Sequence, residues 1–439
     1  MDRIEEKILS IIDAHADELT ALAEDLFVNA EQGYHEHRTA KVVSDFLKKL
    51  GLETREGLAI TGLRASIGKN DGPNVALIGE LDGIRCDMHP QAVPGTGMSH
   101  ACGHNDQIVC MLGAALALTD PEVAAALDGT ATFFAVPAEE FQSADIIDPL
   151  RESHDIRCAG GKCELIRRGE FDDVDLSITT HTTMAGRDGD EEIDLMLGNS
   201  ACTGFVGKTI NIKGVPAHAA AAPHKGRNAL NAASLGMSAL GMIRETFQEK
   251  DCVRVHPYFP KAGNVINVVP SDVVVATMVR ANNYAAIQET SEKVNNCFKG
   301  AAMAIGCDVE IVDSIGYMPC PERLPEQVLW DAAALLGDDV KVAPIPSGLC
   351  NTASTDVGDL FAIMPVLNFT FGGSVGALHT VDYKVTNPYI AHVMPAKMMA
   401  LLAYRLLKDG AAEAKKVMAD YHAPYTLEEY KEYVRGLTE

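Results

Sequence analysis

Three observations on the 439-residue sequence predict an α/β fold with a smaller domain set into it. Short apolar runs at 74–79, 130–136 and 174–179 each end in polar or acidic residues, as buried strands of a mainly parallel sheet do. An Ala/Leu/Met-rich stretch at 108–118 lies between the first two runs, so strand and helix alternate. From about residue 204 the texture changes to longer alternating segments, and after 313 the first texture returns.

In chain order, residues 4–28 carry Ile4, Ile8, Ile11, Ile12, Leu19, Leu22 and Leu26 at helical spacing, which predicts an amphipathic helix. Residues 39–51 repeat the pattern and stop at Gly51. Within the set-in part, GFVGKTINIKG from 204 reads as a strand, 227–248 as a helix, and VINVVP and VVVATMVRA as two strands. A helix over 284–305 and the strand DVEIVD complete a β-α-β-β-α-β order, which predicts a ferredoxin-like α+β domain at 204–313. It interrupts a first domain made of 1–203 and 314–439, whose tail from 410 is a charged, helical surface segment.

The formal net charge of −24 repels phosphate backbones and anionic headgroups, so neither nucleic acid nor a membrane is an expected partner. No run reaches the roughly 18 to 20 apolar residues of a membrane-spanning helix. The N-terminal MDRIEEKILSIIDAHADEL lacks the basic-then-apolar order of a signal peptide. Eleven scattered cysteines, an odd number, suit reduced thiols, and a cytoplasmic location is expected.

Cys102 and His104 set a soft thiolate and an imidazole two residues apart, a pair that a divalent transition ion accepts. In a chain with 14 histidines such a triplet is also a common coincidence. Glu139 and Glu140 follow directly on the run 130–136. Neighbours on an extended chain point opposite ways, so one carboxylate can face a metal and the other a substrate, although a solvated acidic turn is the plainer reading. Asp82 stands just past 74–79, His181 just past 174–179, and His379 in the loop 376–380. Groups placed at the carboxyl ends of parallel strands are expected to converge.

Eight motifs occur in order: GELDGIR at 79–85, HACGHN at 100–105, PAEE at 137–140, GGKCELIRRGEFDDVD at 160–175, VPAHAAAAPHKGRNAL at 215–230, NVVP at 267–270, STDVGD at 354–359 and LHT at 378–380. With them the sequence resembles, over nearly its whole length, the M20 family of metallopeptidases and amidohydrolases. The resemblance is to the branch containing the N-acyl-amino-acid amidohydrolases and aminobenzoyl-glutamate hydrolases. The resemblance implies a metal-binding α/β domain interrupted by a lid-like dimerisation domain. By motif, Cys102, His104, Glu140, His181 and His379 resemble metal ligands, Glu139 the general base, and Asp82 an acid that orients a ligand. His218 resembles a histidine that reaches the active site of a partner copy and steadies the developing oxyanion. Asn267 and Arg280 resemble residues that hold the substrate's carboxylate. The plainer readings of these three are a surface histidine, a turn residue and half of a salt bridge. The implied cofactor is one or two divalent ions (Mn, Zn, Co or Ni) per chain, and the implied partner a second copy in a homodimer or higher homo-oligomer.

Two stretches depart from the family pattern. Members of this branch often continue the metal loop as His-Asp-x-His, whereas here it runs His104, Asn105, Asp106, Gln107, which leaves one or two ions open. Residues 141–159 separate Glu140 from the GGK motif, an insertion expected to shape the pocket. Arg151, His154 and Arg157 are its candidate substrate contacts, or else a solvated charged face. The expected activity is hydrolysis of a C–N bond by metal-activated water. Its substrate is the amide of a small N-acyl or N-aroyl amino acid of the aminobenzoyl-glutamate kind, or a dipeptide, with a free carboxylate. The alternative is a metal-dependent deaminase of an aromatic amine carboxylate such as 5-nitroanthranilate. A metal-storage protein would have no need of Glu139.

Overall fold

The computed structural model describes residues 1–69, 71–142, 144–184 and 193–438. The chain divides into two compact units, one made of 1–200, 322–348 and 359–431, the other of 201–321, 349–358 and 432–439. The second is wider than the 204–313 segment expected from sequence, because 349–358 and the C-terminal residues join it.

The first unit is built on a mixed sheet. Its strand order is Arg55–Leu58, Gly62–Gly68, Thr130–Val136, Asn74–Glu80, Leu176–Met184, Val366–Val375, Leu195–Leu197 and Val342–Pro344, with Lys384–Val385 beside Val366–Val375. The four strands from Thr130–Val136 to Val366–Val375 run parallel. Every residue of Asn74–Glu80 and Thr130–Val136 is buried, which is why these runs are apolar throughout instead of alternating. The third run extends further than expected, to Met184, so His181 lies within the strand opposite Thr370 and not beyond its end.

Helix His104–Leu118 is buried at every residue but Leu116, and from Ile108 onward it is apolar on every face, as a helix buried all round must be. It shares one core with Arg3–Ala14, Ala16–Phe27, Met394–Leu407 and the sheet residues Leu77 and Phe133. The single helix expected over 4–28 is in fact two. His15 leaves helical geometry at φ −114° and ψ 15°, and its Nδ1 meets the Ile11 carbonyl at 2.9 Å. Among the described residues one helix, Tyr389–Leu407, is long and apolar enough to cross a bilayer, and 89% of its most apolar stretch is buried in the protein. The tail is helical at Ala412–Asp420 and Leu427–Thr438, but it is not all surface, since Tyr430 and Val434 are fully buried.

The second unit is an antiparallel sheet ordered Arg254–Val255, Asp272–Ala281, Gly204–Lys213, Asp308–Ile315, with Tyr258–Lys261 also on Asp272–Ala281. With helices Ala229–Ile243 and Tyr284–Ile305 this is the ferredoxin-like order. Asp272–Ala281 alternates buried and half-buried residues along its length, the pattern of a sheet covered on one face. VINVVP is not the second strand; it holds only an isolated bridge, Val268 to His218, and the short strands at 254–261 take that place.

Helix Ala229–Ile243 turns Ala229, Ala232, Ala233, Gly236 and Leu240 inward, and Gly236 makes room for Phe298 of the facing helix. A Cβ there would stand 2.5 Å from Phe298 Cδ1, whereas one at Gly241 would meet nothing within 4 Å. Gly241→Ala should therefore raise stability by about 0.5–1 kcal/mol through helix propensity. Gly236→Ala should lower it, because overpacking costs about 1–3 kcal/mol and outweighs the same propensity gain. Chemical denaturation midpoints of the two variants check the opposite signs.

Candidate active site

Parallel strands deliver their carboxyl ends to one edge of a sheet. Asn74–Glu80 brings Glu80 and then Asp82 to that edge, Thr130–Val136 brings Glu139 and Glu140, Leu176–Met184 brings His181, and Val366–Val375 leads to His379. Cys102 and His104 come from the turn into helix His104–Leu118, whose cap residue Gly103 has φ +78°. A side chain at Gly103 would collide with the Thr182 methyl and the Tyr383 hydroxyl, so the tight turn requires glycine.

Cys102 is the hub. Its Sγ lies 3.4 Å from His181 Nε2 and 3.2 Å from His379 Nε2. Two donor triads share it, Cys102 with His104 and His181, and Cys102 with Glu140 and His379; the ligand atoms within each lie within 4.8 Å of one another. A third group on the same scale joins His104 to Glu80 and Glu139.

Backbone and carboxylate partners aim these donors. His104 Nδ1 donates to the Asp82 carbonyl at 2.8 Å and His181 Nδ1 to the Thr182 carbonyl at 2.8 Å, so each ring turns its Nε2 inward. Asp82 Oδ2 accepts the Glu140 N–H at 2.9 Å. Among the described residues, His104 Nε2 and Glu140 Oε1 are buried without a hydrogen bond of regular geometry, although Glu80 Oε2 is 3.2 Å from the first and His379 Nε2 3.0 Å from the second. Lone pairs of a thiolate, imidazoles and a carboxylate aimed at common points fit a divalent transition ion.

The charges agree with that fit. Burial opposes ionisation of Glu80, but the Lys162 ammonium and then His104 and His181 outweigh it and hold the carboxyl down at about 2. Burial, followed by the charge of Glu140, pushes the Cys102 thiol well above its usual range. Burial opposes the charge of His104, yet Cys102 and Glu80 raise its pKa well above the usual value. These shifts all mark a concentration of negative charge, which an added cation would relieve.

The turn that carries Glu139 and Glu140 is braced on both sides. Ala138 lies at φ +48°, a left-handed conformation costing about 1–3 kcal/mol that persists only when its surroundings impose it. Its carbonyl accepts the Gly161 N–H at 3.0 Å, and a side chain on Gly161 would collide with the Pro137 carbonyl. Lys162, the next residue, is fully buried and reaches Glu80 Oε1 at 2.6 Å. Glu80 and Lys162 lie inside motifs that the sequence displays, yet composition and spacing assign neither a role; only the meeting of 80 with 162 does.

Asp106, the unexpected acid of the metal loop, faces away from the ligands. It pairs with His392 Nε2 at 3.1 Å and accepts from Asn105 Nδ2 at 2.6 Å. The inserted segment folds on itself: Arg157 donates to His154 Nδ1 at 2.9 Å and Arg151 to the Arg157 carbonyl at 3.1 Å. His154 lines a cavity of about 550 Å³ with Tyr34, His35, His37, Leu150 and Arg168, and no metal-cluster residue lines it.

His218, Asn267 and Arg280 belong to the second unit. His218 and Asn267 are exposed neighbours, joined through the Ala219 N–H to Asn267 carbonyl bond of 2.9 Å. His218 Nδ1 accepts the Ala220 and Ala221 amides at 3.2 and 3.1 Å, which leaves Nε2–H as an outward donor. Arg280 lies over the Phe205 ring at 4.9 Å and donates to Ser354 Oγ at 2.8 Å. Burial lowers its pKa, and among the described residues no carboxylate pairs with it. Ser354, of the STDVGD motif, is a neighbour that the sequence alone does not assign.

Residues 201–304 match the family model described as a peptidase dimerisation domain, of the M20 class. The chain is 29% identical over 389 residues to a Homo sapiens Xaa-Arg dipeptidase, covering 85% of this chain and 80% of that one. It is 28% identical over 349 residues to a p-aminobenzoyl-glutamate hydrolase chain of Escherichia coli, covering 77% of this chain and 66% of that one. Residues 201–304 are thus an M20-type dimerisation domain, and the proteins that the chain is similar to are hydrolases of C–N bonds. A dinuclear metal-binding peptidase of the M20 family from Bacillus subtilis has a similar fold, with a TM-score of 0.63 at 20% identity over 90% of this chain and 99% of that one. These likenesses to amide- and peptide-cleaving proteins do not favour the deaminating alternative.

The shared thiol separates the ligands by effect. Cys102→Ala removes a donor from both triads and should abolish tight metal binding altogether, whereas His181→Ala and His379→Ala each spare one triad. Elemental analysis after dialysis against a weak chelator should order the retained metal accordingly, and a Cys102→Ala protein that keeps its full metal content would contradict the geometry.

Proposed function

We propose that this protein is a metal-dependent amidohydrolase of a small N-acyl or N-aroyl amino acid, of the aminobenzoyl-glutamate kind, or of a dipeptide with a free carboxylate. The observation that carries the reading is a base beside a metal-donor cluster: a carboxylate oxygen of Glu139 lies within 4.8 Å of ligand atoms of His104 and Glu80. Cys102, His104, Glu140, His181 and His379 would hold one or two divalent ions, of Zn, Mn, Co or Ni. When bound, such an ion polarises the scissile carbonyl and brings the pKa of water toward neutrality.

The chain's own residues do the rest. Glu139, on its braced turn, takes the proton of the attacking water and hands it to the leaving nitrogen. Asp82 holds the His104 ring and the Glu140 amide, so two donors keep their positions together. His218 offers an Nε2–H to the oxyanion that develops on the carbonyl of a partner copy, a role that calls for at least a two-fold dimer. Arg280, half-buried and with no acid paired to it among the described residues, takes the substrate carboxylate together with Asn267. In this reading 1–203 and 314–439 form the catalytic domain and 204–313 the lid through which the copies pair. Eleven scattered cysteines, an odd number, suit reduced thiols and support a cytoplasmic location.

A hydrolysis screen of N-acyl amino acids, aminobenzoyl-glutamate and short dipeptides should find chelator-sensitive release of amine and carboxylate. On the best substrate, Glu139→Ala should keep its metal and lose about 100- to 10,000-fold in kcat. Arg280→Met should raise KM for the carboxylate and leave KM for its amidated analogue unchanged. A Glu139→Ala protein with undiminished kcat would overturn the base assignment.

A further inference from the structure

The turn that carries Glu139 and Glu140 has an anchor outside all eight sequence motifs. Glu36 is fully buried; its Oε1 accepts the Ala138 N–H at 2.8 Å and its Oε2 the Thr61 hydroxyl at 2.6 Å. A buried carboxyl is expensive unless its oxygens are engaged, and here one of the two is engaged by the left-handed residue of the catalytic turn. Glu36 precedes helix His37–Lys49 at the position where a side chain usually caps the helix, yet it makes no capping bond. Glu31 satisfies the first amides instead, accepting Arg38 N–H at 3.0 Å and Thr39 N–H at 2.7 Å. The local helix therefore does not explain Glu36, and its contact with residue 138 does. The segment lies tightly on the turn, since a Cβ at Gly33 would stand 3.0 Å from Ala138 Cα.

We propose that Glu36 is a positioning residue, which fixes through the Ala138 amide where Glu139 and Glu140 stand. The inference rests on the functional reading above. With Asp82 on the Glu140 amide and Glu36 on the Ala138 amide, two buried carboxyl groups grip alternate amides of one turn. Burial first, and the charge of Asp82 second, push the Glu36 pKa up to about 8. The protonated carboxyl keeps both contacts, because its OH can donate to Thr61 while its carbonyl oxygen still accepts from Ala138. Glutamine reproduces that arrangement, leucine none of it, and aspartate is too short to span both partners.

The test uses Glu36→Gln, Glu36→Leu and Glu36→Asp in the full chain, with zinc affinity from chelator competition and kcat and KM on the best substrate. Glu36→Gln should stay close to wild type in both measurements. Glu36→Leu should lose about 10- to 100-fold in zinc affinity and in kcat, with KM little changed. Should Glu36→Leu fail to fold, Glu36→Asp must move in the same direction. Wild-type affinity and kcat in the leucine or aspartate variant, or an equal loss in the glutamine variant, would overturn the proposal. If the wild-type protein cleaves no amide in the panel, the functional reading falls, and the zinc affinities alone still decide the positioning.

Discussion

Concentrated negative charge away from water is the constraint on which this structure depends. Glu80, Asp82 and Glu139 are buried within the same strand-end cluster as Glu140 and the Cys102 thiol. Two like charges about 4 Å apart repel by about 4 kcal/mol at an effective dielectric of 20. Lys162 offsets one carboxylate, burial and then Glu140 push the Cys102 thiol up, and against burial Cys102 and Glu80 raise the pKa of His104. Such a cluster is stable only with protons or a cation in it, and the donor types choose a transition ion.

The fold exists to make that cluster possible. Four parallel strands end at one edge, so residues from 80 to 379 meet without any local sequence pattern joining them. Glycines at 103 and 161 let backbones approach where any Cβ would collide, and the strained Ala138 is held by hydrogen bonds on both sides. The second unit holds an Arg280 with no acid partner among the described residues and a His218 whose Nδ1 accepts from two backbone amides.

Much of this is legible in the sequence. The apolar runs at 74–79 and 130–136 name buried parallel strands because a strand covered on both faces has no reason to alternate. The β-α-β-β-α-β order holds even though VINVVP is not one of its strands; an apolar run of six residues does not say whether its amides find a partner, and those of 254–261 do. His15 breaks a helix whose apolar spacing carries on past it. The cluster residues are readable because each stands at a strand end or in a motif. Glu36 and the Glu80 to Lys162 pair are not, since each is defined by a contact across the fold, over 102 positions from Glu36 to Ala138 and 82 from Glu80 to Lys162. The pairing of Asp106 with His392 is hidden for the same reason.

A metal centre with the Cys102 sulfur as its hub is tested most directly by X-ray absorption at the zinc edge of the zinc-loaded protein. A sulfur neighbour at about 2.3 Å from zinc is expected in the wild-type protein. That neighbour should vanish in Cys102→Ser while nitrogen and oxygen scatterers remain. A wild-type spectrum with nitrogen and oxygen alone around zinc would contradict a thiolate hub.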